Sequence, residues 1–152
     1  MQTEWFGDEE GSFFDFASIS KDRRLKYPWL PSGVCPRIAD PKVRIPNKQP
    51  GETRIISLDI ALMASGGKKH KNNDATSIMV NSMTASGRDG RCTSSIVYTG
   101  VLEGAHTADQ ALLVRSLFEE FDCDWLVCDA KGVGAGVLDL LLRDIYDKKT
   151  DT

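Results

Sequence analysis

The sequence predicts an α/β fold in which helices pack on a mixed sheet. Three apolar, strand-like segments follow one another between residues 54 and 103, separated by polar or glycine-bearing loops. An amphipathic helical pattern, another apolar strand and a second helical pattern come next. Runs of strands joined by one helical crossover are typical of a mixed sheet with helices packed against it. The predicted element order is therefore β-β-β-α-β-α.

The first predicted strand is RIISLDIAL, residues 54–62. A nearly continuous apolar run of this length, rich in isoleucine, is typical of a strand buried on both faces. DATSIMVNSM (74–83) and SSIVYTGVLE (94–103) predict the second and third strands, and the intervening loops are ASGGKKHKNN and SGRDGR. Strands connected in this way favour an antiparallel meander.

The first helix is predicted from HTADQALLVRSLFEEF, residues 106–121, because its apolar residues recur at intervals of three and four. Thr107 and Gln110 have the spacing of a capping box at its start. DWLVCDA (124–130) predicts a buried fourth strand, and a glycine-rich turn then leads into a second helix, VLDLLLRDIYD (137–147). The apolar stripes are expected to be Ala111, Val114, Leu117, Phe118 and Phe121 on the first helix, and Leu138, Leu141, Leu142 and Ile145 on the second.

The distribution of proline predicts the domain organisation. All six prolines lie between Pro28 and Pro50, where the missing N–H donors exclude a long helix or a central strand. We therefore expect residues 1–53 to form an extended Pro-rich arm or linker. Residues 54–148 would form the folded domain, and residues 149–152 a polar tail.

Composition excludes several classes of protein. A hydrophobic content of 41% and a charged content of 27% are typical of a globular chain rather than a disordered one. No apolar run approaches the roughly 20 residues of a membrane span, and the pattern of a signal peptide is absent, so a cytoplasmic location is expected. The four cysteines lack zinc-site spacing. The net charge of −3 is compatible with a nuclease that meets DNA through local basic loops.

Two glycine-rich segments have some features of nucleotide-binding loops but lack the required spacing. Gly132, Gly134 and Gly136 follow a predicted strand, yet the dinucleotide fingerprint needs its third glycine where Val137 stands. The segment GGKK (66–69) is not a Walker A loop, because it lacks the earlier glycine and the Ser or Thr after the lysine. An actin- or sugar-kinase-like ATPase would share the element order, but its phosphate loop would need glycines directly after the first-strand aspartate.

Two aspartates predict a metal site. Asp59 lies inside the first predicted strand and Asp129 closes the fourth, and a buried carboxylate needs a partner, a proton or a metal ion. A crossover through the first helix can place the fourth strand parallel to the first and about 4.8 Å from it. Both aspartates would then lie at carboxyl ends of strands, where a divalent cation would relieve their repulsion. Hydrogen bonding of each carboxylate to nearby backbone is the alternative.

Further residues are expected to approach this site from the loop that follows the first strand. Lys68, Lys69 and Lys71 would either contact DNA phosphates or form a solvated hairpin tip. Asp74, at the start of the second predicted strand, would either approach the metal ions or cap the turn.

The spaced combination of SLDIA, a short basic loop, NDATSI, VLEGAHTADQALLV and LVCDAKGVGAGVLDLL resembles the C-terminal nuclease domain of phage terminase large subunits. The resemblance covers residues 54–146. It implies an RNase H-like fold that cuts concatemeric double-stranded DNA by two-metal hydrolysis during genome packaging. Asp59 would bridge two divalent cations, Mg²⁺ or Mn²⁺; Asp129 would be the second catalytic acid; and Asp74 would be a further metal ligand.

The same resemblance implies a partial domain and a set of partners. The family's ATPase motor and its third acid, which follows a fifth strand, have no counterpart in this chain. We therefore expect the N-terminal part of the nuclease domain, incomplete at its C-terminus. Its partners would be double-stranded DNA, the portal protein, the small terminase subunit and the motor, in the cytoplasm of an infected bacterium during virion assembly. The alternative is a catalytically incomplete module that binds DNA or a packaging partner.

Overall fold

The computed structural model describes residues 16–23, 25–32, 41–61, 75–86, 90–103, 106–129 and 133–143. Its elements, in chain order, are α1 (Phe16–Lys21), a short 3₁₀ helix (Pro41–Val43), β1 (Glu52–Asp59), β2 (Ala75–Ser86), β3 (Arg91–Glu103), α2 (Thr107–Glu120), β4 (Trp125–Cys128) and α3 (Val133–Leu141). From β1 onward this is the order β-β-β-α-β-α, so the predicted α/β class is confirmed.

The four strands form one mixed sheet in the order β3-β2-β1-β4. β1 pairs antiparallel with β2 and β2 pairs antiparallel with β3, which confirms the predicted meander. β4 is parallel to β1, as expected for a crossover through α2. The β2–β3 register shifts between Val80 and Asn81, and near this irregularity the consecutive residues Val97 and Tyr98 of β3 are both buried.

The hydrophobic core lies on one side of the sheet, which we call the core face. Its centre is formed by alternate residues of β1 and β2, and Ile56, Leu58, Ile78 and Val80 are each at most 6% exposed. α2 packs on this face. Its predicted apolar stripe is buried or half-buried at every position: Ala111, Val114, Leu117, Phe118 and Phe121.

α3 packs beside α2 on the core face, where its Val137 is fully buried. The Arg115 guanidinium of α2 donates to the carbonyl oxygens of Leu140 (3.3 Å) and Leu141 (2.8 Å), which satisfies acceptors that a helix end leaves open. This interaction ties the end of α3 to the middle of α2. None of the helices in the described ranges is long and apolar enough to cross a membrane.

The predicted stripe of α3 is wrong at one position. Leu142 is 80% exposed because the helix ends at Leu141, one residue before it. Leu138 is half-buried, and Val137 is fully buried. Ile145, the last predicted stripe residue, lies outside the described residues.

The opposite side of the sheet, which we call the open face, is largely exposed. Ile96, Val101, Trp125 and Val127 are between 55% and 66% exposed there. β1 has one buried and one half-buried face, and β4 alternates between exposed and half-buried residues. The prediction that these two strands are buried on both faces is therefore wrong. The reason is that α2 and α3 both pack on the core face.

The capping box predicted at the start of α2 is also wrong. His106 is the N-cap residue, without a side-chain cap hydrogen bond, and Thr107 is already helical. The Gln110 side-chain oxygen accepts a hydrogen bond from the hydroxyl of Thr76 on β2. At 4% exposure, Gln110 belongs to the interior of the domain.

Part of the Pro-rich segment packs against the domain. The Trp29 N–H donates to the Val97 carbonyl oxygen of β3 at 2.9 Å, and the Trp29 ring lies 4.8 Å from the Arg54 guanidinium. The described part of the expected arm therefore covers the start of β1. The division of the chain at residue 53 stays a prediction, and the tail, 149–152, lies outside the described residues.

A buried ion pair anchors the start of β1. The Arg54 side chain, 1% exposed, donates to Glu52 Oε1 at 2.6 Å and to two backbone carbonyl oxygens at 2.9 and 3.0 Å. Burial alone raises the pKa of Glu52. Hydrogen bonds from Arg54, from the Gln49 N–H and from Ser82, together with the Arg54 charge, outweigh burial and lower this pKa to about 2.

We expect Glu52→Gln to lower the free energy of unfolding at neutral pH by about 3 kcal/mol, because a buried guanidinium loses its charged partner. The pKa of Glu52 is about 2 in the folded protein, against an unperturbed 4.5. The carboxylate therefore contributes stability at higher pH that is lost as pH falls from about 5 toward 2. In urea denaturation, the difference between wild type and Glu52→Gln should shrink over this range.

Glu119→Gln is the control for this experiment, because it removes an exposed carboxylate from α2. It should change stability little. A Glu52→Gln difference that stays constant as the pH is lowered would contradict the assignment.

Candidate metal site

The parallel register of β1 and β4 places the two predicted acids side by side. The last Cα pair between these strands is Leu58 with Cys128. Asp59 and Asp129 are the next residues on the two chains. Because paired strands lie about 4.8 Å apart, the aspartates occupy neighbouring positions at the carboxyl edge of the sheet.

Both aspartates belong to the open face. Successive residues of a strand point to opposite faces, and Leu58 and Cys128 pack toward the core. Asp59 and Asp129 are exposed, so the prediction that they are buried carboxylates is wrong. Each lies at the end of its strand on the face that α2 and α3 leave uncovered, where ions from solvent can reach it.

Two neighbouring carboxylates favour a divalent cation, since their charges otherwise repel each other. Carboxylate oxygens are hard ligands that suit Mg²⁺ and Mn²⁺, so Asp59 and Asp129 have the chemistry of two ligands for such an ion. Within the described ranges, no group of three or more His, Cys, Asp or Glu residues could hold a metal. A third acidic ligand would therefore have to come from outside those ranges.

The other residues predicted to act at the site lie outside the described residues. Asp74 directly precedes β2, and Lys68, Lys69 and Lys71 belong to the segment that joins β1 to β2. Since Asp59 pairs with Ser77, this segment leaves and rejoins the sheet at the edge that carries the aspartates. The roles of these four residues as metal ligand and DNA contacts stay predictions.

Two buried polar residues beneath this edge were not among the predicted site residues. Thr76 of β2 and Gln110 of α2 are 2% and 4% exposed. The Ala61 N–H donates to Thr76 Oγ1 at 3.0 Å, and the Thr76 hydroxyl donates to Gln110 Oε1 at 3.0 Å. The available signal was a threonine at a position that alternates with Ile78 and Val80, where an apolar residue is expected.

A second charged cluster lies toward the opposite end of β1, five residues from Asp59 and roughly 17 Å away at about 3.3 Å per residue. Asp124 Oδ2 accepts the Arg54 N–H at 2.8 Å, and the Lys48 ammonium binds the other oxygen. The hydrogen bond from Lys48 is the main cause that lowers the pKa of Asp124. The Asp124 carboxylate thus binds a lysine and a backbone N–H at once, and this cluster stabilises the fold.

The described cysteines offer no alternative site. Cys123 is buried in the core, and burial raises the pKa of its thiol to about 11. The thiol is therefore protonated at neutral pH and unsuited to binding a metal as a thiolate. Cys128, which is half-buried and packs against the core, points away from the open face.

Comparisons of the chain with protein-family models, with curated proteins and with solved structures found no match. The geometry of Asp59 and Asp129 and the sequence resemblance are therefore the two indications of function.

Without divalent ions, we expect Asp59→Asn to raise the thermal unfolding midpoint by about 1–3 °C, because it removes repulsion between neighbouring carboxylates. Mn²⁺ should raise the midpoint of the wild type by binding the native state, and should raise it less in Asp59→Asn and Asp129→Asn. Scanning fluorimetry in EDTA and in MnCl₂ measures both effects.

The matched control is Asp139→Asn, which removes an exposed carboxylate of α3. It should keep the Mn²⁺-dependent shift of the wild type. Equal shifts in the wild type and in Asp59→Asn would show that the pair does not bind the ion.

Proposed function

We propose that this chain carries an RNase H-like, metal-dependent endonuclease domain of a phage DNA-packaging terminase. The strongest support is the position of Asp59 and Asp129 at the carboxyl ends of adjacent parallel strands, β1 and β4. The mixed four-stranded sheet with two helices on it is compatible with an RNase H-like arrangement. The resemblance over residues 54–146 suggests the substrate, concatemeric double-stranded DNA.

In the proposed reaction, Asp59 and Asp129 would hold divalent cations through their carboxylate oxygens. The resemblance assigns Asp59 as the bridging ligand and Asp74 as a further one. When bound, two such cations supply an activated water and stabilise the leaving oxygen of the cleaved phosphodiester. The contribution of the protein is to hold the two carboxylates in fixed relative positions, which the β1–β4 pairing does.

DNA would approach the site at the carboxyl edge of the sheet. Lys68, Lys69 and Lys71 lie in the connection between β1 and β2 and would contact phosphates there. A protein with a net charge of −3 requires such local basic contacts, since its overall charge repels DNA. The proposed partners are the portal protein, the small terminase subunit and the ATPase motor, in the cytoplasm of the infected host.

A catalytically incomplete binding module is the second candidate. One observation favours it, namely that the described residues include two neighbouring acids and no group of three. In this case the acids would not support cleavage, and the protein would bind DNA or a packaging partner through other surfaces.

Relaxation of supercoiled plasmid in Mn²⁺ tests the nuclease proposal. The assay compares this chain with a version continued downstream through a further strand and acid, as the resemblance requires. We expect cleavage by the extended version, and we expect Asp59→Ala and Asp129→Ala each to reduce it at least about 100-fold, since two-metal hydrolysis needs both ligands. Asp139→Ala removes an equal charge from the surface of α3 and should cleave normally.

Two outcomes would contradict the nuclease proposal. Unchanged cleavage by Asp59→Ala or Asp129→Ala would refute the site assignment. Absence of cleavage by both versions with Mg²⁺ and Mn²⁺ would favour the binding module.

We expect replacement of Lys68, Lys69 and Lys71 by alanine to weaken DNA binding and its dependence on salt. Each lost phosphate contact should reduce the slope of log Kd against log salt concentration by about 0.9. Fluorescence anisotropy with a labelled duplex measures this slope. Replacement of the exposed Lys21, Arg23 and Lys26 by alanine removes the same charge, and an equal effect of both triple variants would contradict a specific role for the loop.

A further inference from the structure

The backbone just after β1 is held by a hydrogen bond to a buried side chain. The β1–β2 ladder ends with Asp59 opposite Ser77. Two residues later, the Ala61 N–H donates to Thr76 Oγ1 at 3.0 Å. Thr76 is buried on the core face, so the backbone just after Asp59 is attached to the core side of the sheet.

Gln110 extends this connection into α2. The Thr76 hydroxyl, which accepts from Ala61, donates to Gln110 Oε1 at 3.0 Å. Both side chains are almost fully buried, where polar groups are tolerated only if they are hydrogen-bonded. A satisfied network in a low-dielectric interior is rigid. Two side chains therefore join β2, α2 and the exit of β1 directly beneath the carboxyl edge of the sheet.

We infer that Thr76 and Gln110 are positioning residues for Asp59, an inference that rests on the proposed metal site. Asp59 lies between two attachments, the ladder pair with Ser77 and the hydrogen bond at Ala61. A valine at position 76 would fill the same space, but only a hydroxyl can hold the Ala61 backbone.

The ends of strands fray more readily than their centres, and a metal ligand tolerates only small displacements, about 0.5 Å. Loss of the Thr76 hydroxyl would therefore release the end of β1 and weaken metal binding without removing any ligand.

The test uses Thr76→Val, which removes the hydroxyl at nearly constant volume, and Thr76→Ser, which restores it. We expect Thr76→Val to speed hydrogen exchange of the Ala61 amide and to weaken Mn²⁺ binding by about tenfold, the size of effect typical of residues that orient metal ligands. Thr76→Ser should recover both properties. Free Mn²⁺ is measured by electron paramagnetic resonance at a temperature at which every variant is folded.

Val80→Ala is the matched control, because Val80 is buried on the same face of the same strand, four residues further from the site. It should lower stability through a cavity and leave Mn²⁺ affinity and Ala61 exchange unchanged. If Thr76→Val loses stability but binds Mn²⁺ like the wild type, the role is structural and the inference is overturned while the metal site stands. If the wild type binds Mn²⁺ no better than Asp59→Asn, the metal site fails and the inference fails with it.

Discussion

The parallel pairing of β4 with β1 is the constraint on which the candidate site depends. Parallel neighbours require a crossover connection, and α2 provides it while covering the core face. Because both strands run in the same direction, the residues that follow the last pair, Leu58 with Cys128, become neighbours at one edge. An antiparallel β4 would carry Asp129 to the other end of the sheet. The direction of one four-residue strand therefore decides whether Asp59 and Asp129 can share an ion.

The alternation of side chains along β1 and β4 decides on which face of the sheet the two carboxylates lie. Leu58 and Cys128 face the core, so the residues after them face the open side of the sheet. A shift of one residue in either strand would turn its aspartate toward the buried side chains beneath α2 and α3, where a carboxylate without a partner is strongly unfavourable. The exposed position explains how two neighbouring aspartates are tolerated in a small domain.

The sequence was sufficient for features that depend on local pattern. The element order, the meander, the parallel crossover strand and the α2 stripe from Ala111 to Phe121 follow from periodicity and connection rules. It was insufficient to predict which strand faces are buried. The apolar sequence of β4 is the same whether helices cover one face of the sheet or both. It was also insufficient to predict the role of Gln110. Its partner Thr76 lies 34 positions away in the sequence, and the local spacing indicated a helix cap instead. The position of Thr76 in the alternation with Ile78 and Val80 marked it as unusual, but its contact with the Ala61 backbone became known only from the structure.

The two ends of β1 differ in role: charged residues at its start stabilise the fold, and an exposed acid at its end is the candidate metal ligand. At its start, Glu52 and Arg54 are buried together, and Arg54 also bonds backbone carbonyls and lies over the Trp29 ring. Among the described residues, no buried side-chain nitrogen or oxygen lacks a hydrogen-bond partner, so the charges at this end are committed to the fold.

At the other end Asp59 is exposed, while the backbone two residues later is held from the core face by Thr76. A ligand for a metal ion requires this combination, since its carboxylate must be accessible to exchanging ions while its backbone stays in place. The ion pair fixes one end of the strand, and the Thr76–Gln110 connection performs the same task at the end where an ion would bind.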